Sequence, residues 1–227
     1  MTAVPPSPTA VPPTAPSPAP TQPALGAVVA VDPSWRAAVP RVVVARDRGG
    51  RVLDGSSWGS GVVVGQRLVV TAFHVAAPGA EFRLEFPGGT VVEARLASGH
   101  PESDIALLVS AVDLPATPRS LTIVPPPPGL TSYVVGYKPG YPDPPAARTA
   151  SMAGLGGPIP LYQPYGARTY STLMFDSSAG GGDSGGAMYD GRGGLIGIVV
   201  GGSDDPATGR RLTHVVPAAL VQAAMTP

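Results

Sequence analysis

Gly180-Gly181-Gly182-Asp183-Ser184-Gly185-Gly186, followed at Leu195–Gly202 by LIGIVVGG, is the stretch that decides how this chain is read. A serine with glycines on both sides and an acid just before it suits neither a helix nor a strand. Glycine tolerates positive φ and lets another group approach the backbone closely. A turn of this kind can hold the Ser184 hydroxyl exposed while the amides of Gly182 and Ser184 point into one small space. Two converging N–H groups beside a hydroxyl make a nucleophile next to an oxyanion hole. Taken alone, the segment could equally be a hairpin turn. The apolar run behind it reads as a buried strand and favours the chemical interpretation.

Two further constellations lie upstream. Trp58-Gly59-Ser60-Gly61-Val62-Val63-Val64 precedes Leu68-Val69-Val70-Thr71-Ala72-Phe73-His74-Val75, which places His74 at the end of a buried strand. A lone histidine there is commonly satisfied by backbone partners. Ser103-Asp104-Ile105-Ala106-Leu107-Leu108-Val109 sets a carboxylate at the mouth of another apolar strand. A poorly hydrated carboxylate needs donors: it could cap the strand end, or it could take a histidine Nδ1–H and fix the tautomer that base catalysis requires. The other two histidines sit in weaker contexts, His100 in a polar Ser98–Ser103 loop and His214 after Thr213 on a strand. No His-x-x-x-His or histidine–acid grouping has metal-ligand spacing, so a metal is not expected.

The remainder of the chain sets these motifs in an all-β frame. Short apolar runs punctuated by Gly and Pro predict strands over Val42–Ala45, Gly61–Gly65, Leu68–Thr71, Phe82–Phe86, Val91–Ala97 and Ile105–Ser110. A second series covers Ser132–Tyr137, Ala147–Leu155, Thr169–Phe175, Gly186–Tyr189, Leu195–Gly201 and Arg211–Val215. Gly49-Gly50 and Gly88-Gly89 are turn signals, and Pro125–Pro128 reads as a linker. AALVQAAM after Pro217 is the one convincing helix. Two successive sets of about six strands imply paired antiparallel β-barrels with a short C-terminal helix. The expected organisation is an arm over residues 1–24 and one domain over 25–227. Within that domain the barrels span about 40–120 and 129–216, and the helix spans 217–225. Lys138–Pro164, rich in Pro and Gly, is expected to include a long surface loop.

Composition removes several classes of function. With 15 basic and 15 acidic residues among 227, the formal charge is zero, and nothing argues for nucleic acid or an anionic membrane surface. There is no cysteine, which excludes disulfides and thiolate chemistry. Residues 1–24 hold nine prolines and no charged side chain, so they read as a disordered, extended spacer. They lack the basic start and apolar run of a signal peptide, and no stretch has the length of a transmembrane helix. Lys138 is the only lysine against many arginines, which with abundant Ala, Gly and Pro points to a GC-rich bacterial coding sequence. The bacterial cytoplasm is the favoured compartment; a secreted protein whose leader has been removed is the alternative.

His74, Asp104 and Ser184, in that order, together resemble the chymotrypsin/trypsin-like serine endopeptidases over roughly residues 40–225. The matching segments are GSGVVV…VVTAFHV, SDIALL, and GGDSGGAM with GLIGIVVGG behind it. The pattern is closest to the bacterial HtrA-like or glutamyl-endopeptidase-like branches. The resemblance implies a double β-barrel serine endopeptidase in which Ser184 is the nucleophile, His74 the general base and acid, and Asp104 its orienter. The amides of Gly182 and Ser184 would form the oxyanion hole. It further implies a protein or peptide substrate, no cofactor, and a monomer. The alternative is a latent protease or pseudoprotease that holds peptides by β-addition and needs an activating protein partner.

Primary specificity, by the same resemblance, would rest on Ser178 at the pocket base and on Val200, Gly201 and Gly202 along its wall. Ser178 is not an acid, which argues against an Arg/Lys preference. Thr213-His214 resembles the histidine strand of glutamyl-specific members and would receive a substrate carboxylate; an ordinary strand-edge histidine is the competing reading. The activation sequence Ile-Val-Gly-Gly is missing, and Arg41-Val42-Val43, its nearest imitation, looks like the first strand. Asp183 is therefore expected to find a partner other than a freed N-terminal amine, with no proteolytic cut required there.

Overall fold

The computed structural model describes residues 24–139, 145–156 and 172–226. Their organisation follows from where the valine-rich runs can be buried. In β2 (Trp58–Gly65), residues 59–64 are all buried. Such a strand is covered on both faces, which is why Val62–Val64 runs apolar without alternation. By contrast, β5 (Val91–His100) alternates, with Val92 and Ala94 buried and Val91, Glu93 and Arg95 exposed, as expected for a strand with one face in water. With β1 (Arg41–Asp47), β3 (Leu68–Ala72), β4 (Gly79–Glu85) and β6 (Ile105–Ser110), these strands close an antiparallel barrel in the order β1-β2-β3-β6-β5-β4.

The second barrel runs β10-β11-β12-β9-β8-β7 and is also closed. It is built from β7 (Thr131–Gly136), β8 (Ala146–Gly156), β9 (Thr172–Asp176), β10 (Ala187–Tyr189), β11 (Leu195–Asp204) and β12 (Arg211–Pro217). Its interior holds Val134, Met152, Leu173, Phe175, Met188, Ile196, Val199 and Val215. The core of the first barrel continues across the contact between the two, taking in Val135, Ala187, Ile198 and Val216. The fully buried strand β2 faces that junction, where any group reaching from one barrel to the other is shielded from water. Thr122 N–H donates to Leu195 O at 2.8 Å and Leu195 N–H to Ser120 O at 2.8 Å, so the residues just before the proline-rich linker pair with the start of β11.

Each expected strand has a counterpart among the described residues, usually one to three residues longer or shorter than the sequence suggests; the first three residues expected of the Thr169–Phe175 strand lie outside them, and the C-terminal helix occupies Ala218–Met225. Gly88-Gly89 turns β4 into β5, which pair directly. Gly49-Gly50 instead closes a local turn, with Gly50 N–H on Asp47 O at 3.0 Å, inside a longer connection between β1 and β2. Within Lys138–Pro164, the segment expected to include a long loop, the strand expected over Ala147–Leu155 is present as β8 (Ala146–Gly156), hydrogen-bonded to β7 on one side and β9 on the other. The rest of that loop falls mainly on residues 140–144 and 157–164, outside the described residues, as does the arm before Ala24. His100, expected in a polar loop, ends β5 opposite Ile105, since the pairing with β6 extends past the last apolar residue.

Two short helices add to the frame. One, Pro33–Ala37, is capped by Asp32, whose carboxylate accepts the Ser34 N–H at 2.8 Å, and has proline in its first turn. At five residues it is too short to show a periodic pattern. The other, Phe73–Ala76, follows β3 without a break and carries His74. Residues 24–29 form an additional edge: Gly26 N–H donates to Thr149 O at 2.9 Å, Thr149 N–H to Ala27 O at 3.1 Å, and Val29 N–H to Ala147 O at 2.9 Å. No helix among the described residues is long and apolar enough to cross a membrane.

Candidate active site

His74 reaches its position because β3 delivers the chain to the barrel rim and a single helical turn reverses it. Asp104 arrives at the same rim from the other side, directly before β6. Its φ of 54° is in the left-handed region, the only such non-glycine residue among those described. Aspartate tolerates this region better than most side chains. The conformation turns its carboxylate back toward the helix. His74 Nδ1 lies 2.8 Å from Asp104 Oδ2 and 3.2 Å from Oδ1, and the His74 backbone N–H donates to Oδ1 at 2.9 Å. Phe73 N–H donates to the Asp104 carbonyl at 3.0 Å. Asp104 is fully buried while the imidazole is 23% exposed, so one ring edge faces the carboxylate and the ring stays accessible.

Ser184 comes from the second barrel on the glycine turn and is half-buried. The turn meets the His74 region at close quarters. A Cβ on Gly185 would overlap Ser60 O and Thr71 Oγ1 and lie 2.9 Å from Ala72 N, two residues before His74. A Cβ on Gly59 would touch both Val75 Cγ2, at 2.7 Å, and Ser184 O, at 2.9 Å. These glycines are what let the serine turn settle beside the helix that carries His74. Among the described residues, no hydrogen bond joins Ser184 Oγ to the imidazole; in unliganded sites this contact commonly tightens only when substrate binds. Gly182 adopts φ +85° under the Trp58 ring, which a Cβ would approach to 2.5 Å. Neither Gly182 N–H nor Ser184 N–H donates to a protein acceptor among the described residues.

Behind the turn, Asp183 is fully buried and ion-paired with Arg148 of β8, which is equally buried. The Gly180 N–H donates to its other oxygen at 2.8 Å. Burial pushes the Asp183 carboxyl above its ordinary value, and Arg148, the Gly180 amide and Lys138 pull it back only in part. Asp183 thus has a cation from within the fold, as the missing activation sequence led us to expect.

The specificity candidates do not converge on one cavity. Ser178, with Leu25, Lys138, Gly180 and Arg211, lines a cavity of about 500 Å³, and Lys138 Nζ donates to the Ser178 carbonyl at 3.0 Å. Val200 is buried in β11, Gly201 is half-buried with open space where a Cβ would stand, and Gly202 is exposed beside the Arg211 guanidinium. His214 pairs with Gly201 across β11 and β12. Its ring is buried, with Nδ1 3.2 Å from Thr172 Oγ1 and Nε2 2.7 Å from Ser203 Oγ. Val200, Gly201, Gly202 and His214 lie outside the lining of the Ser178 cavity. Asp176 is paired with Arg210 at 3.0 Å and Asp204 with Arg211 at 3.1 Å. Among the described residues, no cluster of His, Asp and Glu could hold a metal ion.

A family model of the trypsin-like peptidase domain matches residues 59–198, and the chain belongs to that family; by class it is a serine-type endopeptidase. Similar solved structures include the active form of the Rv3671c protease from M. tuberculosis. It shows 24% identity over 92% of each chain, with a TM-score of 0.70. The MamO protease domain from Magnetospirillum magneticum shows 21% identity over 86% of this chain and 98% of its own, at 0.65. A serine endoprotease from Yersinia pestis shows 21% identity over 87% and 66%, at 0.64. At these identities the likeness shows the fold. No curated protein matches the chain.

Sequence reasoning gave no role to Ser60, Trp58 or Arg148, all of which touch or support the Ser184 turn. Arg148 had a signal: it is the only charge within the small and apolar residues of β8, where a solvated side chain would be out of place.

Proposed function

We propose that this protein hydrolyses peptide bonds through an acyl-enzyme on Ser184. His74 takes the hydroxyl proton as Ser184 attacks the scissile carbonyl, then gives it to the leaving amine. Asp104 holds the Nδ1–H tautomer and stabilises the imidazolium formed in the transition state. The amides of Gly182 and Ser184 receive the oxyanion. Water, deprotonated by His74, then releases the acyl group. The observation that carries the reading is the buried Asp104 carboxylate, fixed on His74 Nδ1 at 2.8 Å within the same rim that receives the serine turn.

The substrate would be a protein or peptide segment. Ser178 offers no charge to a basic side chain, which supports a preference outside Arg and Lys. His214 as a receptor for a substrate carboxylate is the weaker part of the reading, since hydroxyls engage both of its nitrogens. The Arg148–Asp183 pair supports activity without a freed N-terminal amine, and so weighs against the latent alternative.

Mixing the protein with an activated ester tests the covalent step. An acyl-enzyme mechanism releases one equivalent of leaving group per active site in a rapid phase, followed by slower turnover. A linear time course with no stoichiometric phase at any ester concentration would contradict it.

A further inference from the structure

Ser60, fully buried in β2, engages every polar atom it has on the nucleophile turn or its supports. Its hydroxyl donates to Gly182 O at 2.8 Å and accepts the Tyr137 N–H at 2.9 Å. Its own N–H donates to Ser184 O at 2.8 Å, and its carbonyl accepts the Thr71 hydroxyl at 2.7 Å. One residue of the first barrel therefore holds the carbonyls of both residues whose amides would bind the oxyanion.

A peptide unit is planar, so anchoring its C=O and its N–H together fixes its plane. The unit joining Gly182 to Asp183 is held at its oxygen by the Ser60 hydroxyl and at its N–H by Gly180 O, 3.1 Å away. The unit joining Ser184 to Gly185 is held at its oxygen by Ser60 N–H and at its N–H by Val199 O, at 2.7 Å. Between them, the Asp183 carbonyl accepts the Gly186 N–H at 2.8 Å, and the Ser184 N–H of the same planar trans unit points the opposite way. Gly182, at φ +85°, has no side chain of its own to resist rotation. The Ser60 hydroxyl is what restrains it on the carbonyl side.

We propose that Ser60 is a positioning residue for the oxyanion hole, fixing the peptide planes that follow Gly182 and Ser184 so that the amides of these two residues face one point. This rests on the serine-peptidase reading above. Ser60 touches no reacting atom. It acts through the two peptide carbonyls, and from the opposite barrel, so the relative placement of the barrels is read directly into the geometry of the hole.

The test compares Ser60→Ala with wild type, full chain in each, on a peptide substrate and on a peptide boronate that forms a tetrahedral adduct at Ser184. Loss of preorganised donors is felt in the transition state and little in the ground state. The expected result is a kcat lower by roughly tenfold to a hundredfold, KM nearly unchanged, and boronate affinity reduced in parallel with kcat. If the alanine variant does not fold, Ser60→Cys keeps a similar shape with a weak donor and should show the same pattern at smaller amplitude. A folded variant whose kcat and boronate affinity both match wild type overturns the proposal, as does a loss confined to KM. Wild type that neither turns over substrate nor binds the boronate defeats the peptidase reading and this proposal with it. Active wild type with an equally active Ser60→Ala defeats the positioning role alone.

Discussion

Replacing Asp104 by asparagine is expected to reduce turnover on the order of 10⁴-fold while leaving the fold intact. The two side chains have nearly the same shape, and asparagine accepts the left-handed backbone at this position as readily as aspartate. The asparagine oxygen could still accept the His74 backbone N–H that Asp104 Oδ1 accepts at 2.9 Å. The amide nitrogen would then face His74 Nδ1 as a donor. The ring would have to answer with a lone pair at Nδ1, which moves its hydrogen to Nε2, the nitrogen that accepts the Ser184 proton in the proposed mechanism. Melting temperature should change little, because one buried hydrogen bond replaces another. Wild-type turnover in this variant would remove Asp104 from the mechanism.

A large loss of stability is expected for Arg148→Met. Methionine fills a similar volume but leaves the buried Asp183 without its cation. Breaking a buried pair from one side costs about 3–5 kcal/mol, because the remaining charge is uncompensated. The pH dependence gives the cause away. The Asp183 carboxyl is already raised by burial, and losing Arg148, which lowers it, would raise it further. A carboxyl whose folded value is raised contributes its stability in full below the unfolded value, and loses it as pH rises through the folded value. Wild type and variant should therefore melt close together in acid and separate as the pH climbs above the ordinary carboxylate range. Melting curves that differ by the same amount at every pH would point to packing instead of charge.

The sequence carried the barrels because their strands are built from β-branched runs with glycines and prolines between them. Even β2 and β11, buried on both faces, announce themselves as Val62–Val64 and Leu195–Val200. It also singled out His74, Asp104 and Ser184 as candidates, since each sits in a local context that is odd for a purely structural residue. What it did not carry are pairings set by the closure of the barrels. Arg148 and Asp183 are 35 positions apart and meet only when β8 passes behind the serine turn. Ser60 and Gly182 are 122 apart, and nothing local to GSG says that its hydroxyl faces another barrel. Residues 24–29 contribute only backbone groups to their pairing with β8, so Gly26-Ala27-Val28-Val29 shows no side-chain pattern to read. The specificity candidates suffered from the same limit. The direction of the His214 ring depends on Thr172 and Ser203 on neighbouring strands, which nothing local to Thr213-His214 reveals.

The most direct test of the central claim is to label the purified full chain with a fluorophosphonate and locate the adduct by peptide mass, with Ser184→Ala alongside. This reagent needs both an activated hydroxyl and a formed oxyanion hole. The account predicts a single adduct on Ser184, no adduct in the alanine variant, and similar melting temperatures for the two proteins. A well-folded wild type that takes up no label, or takes it up at another serine, would contradict it.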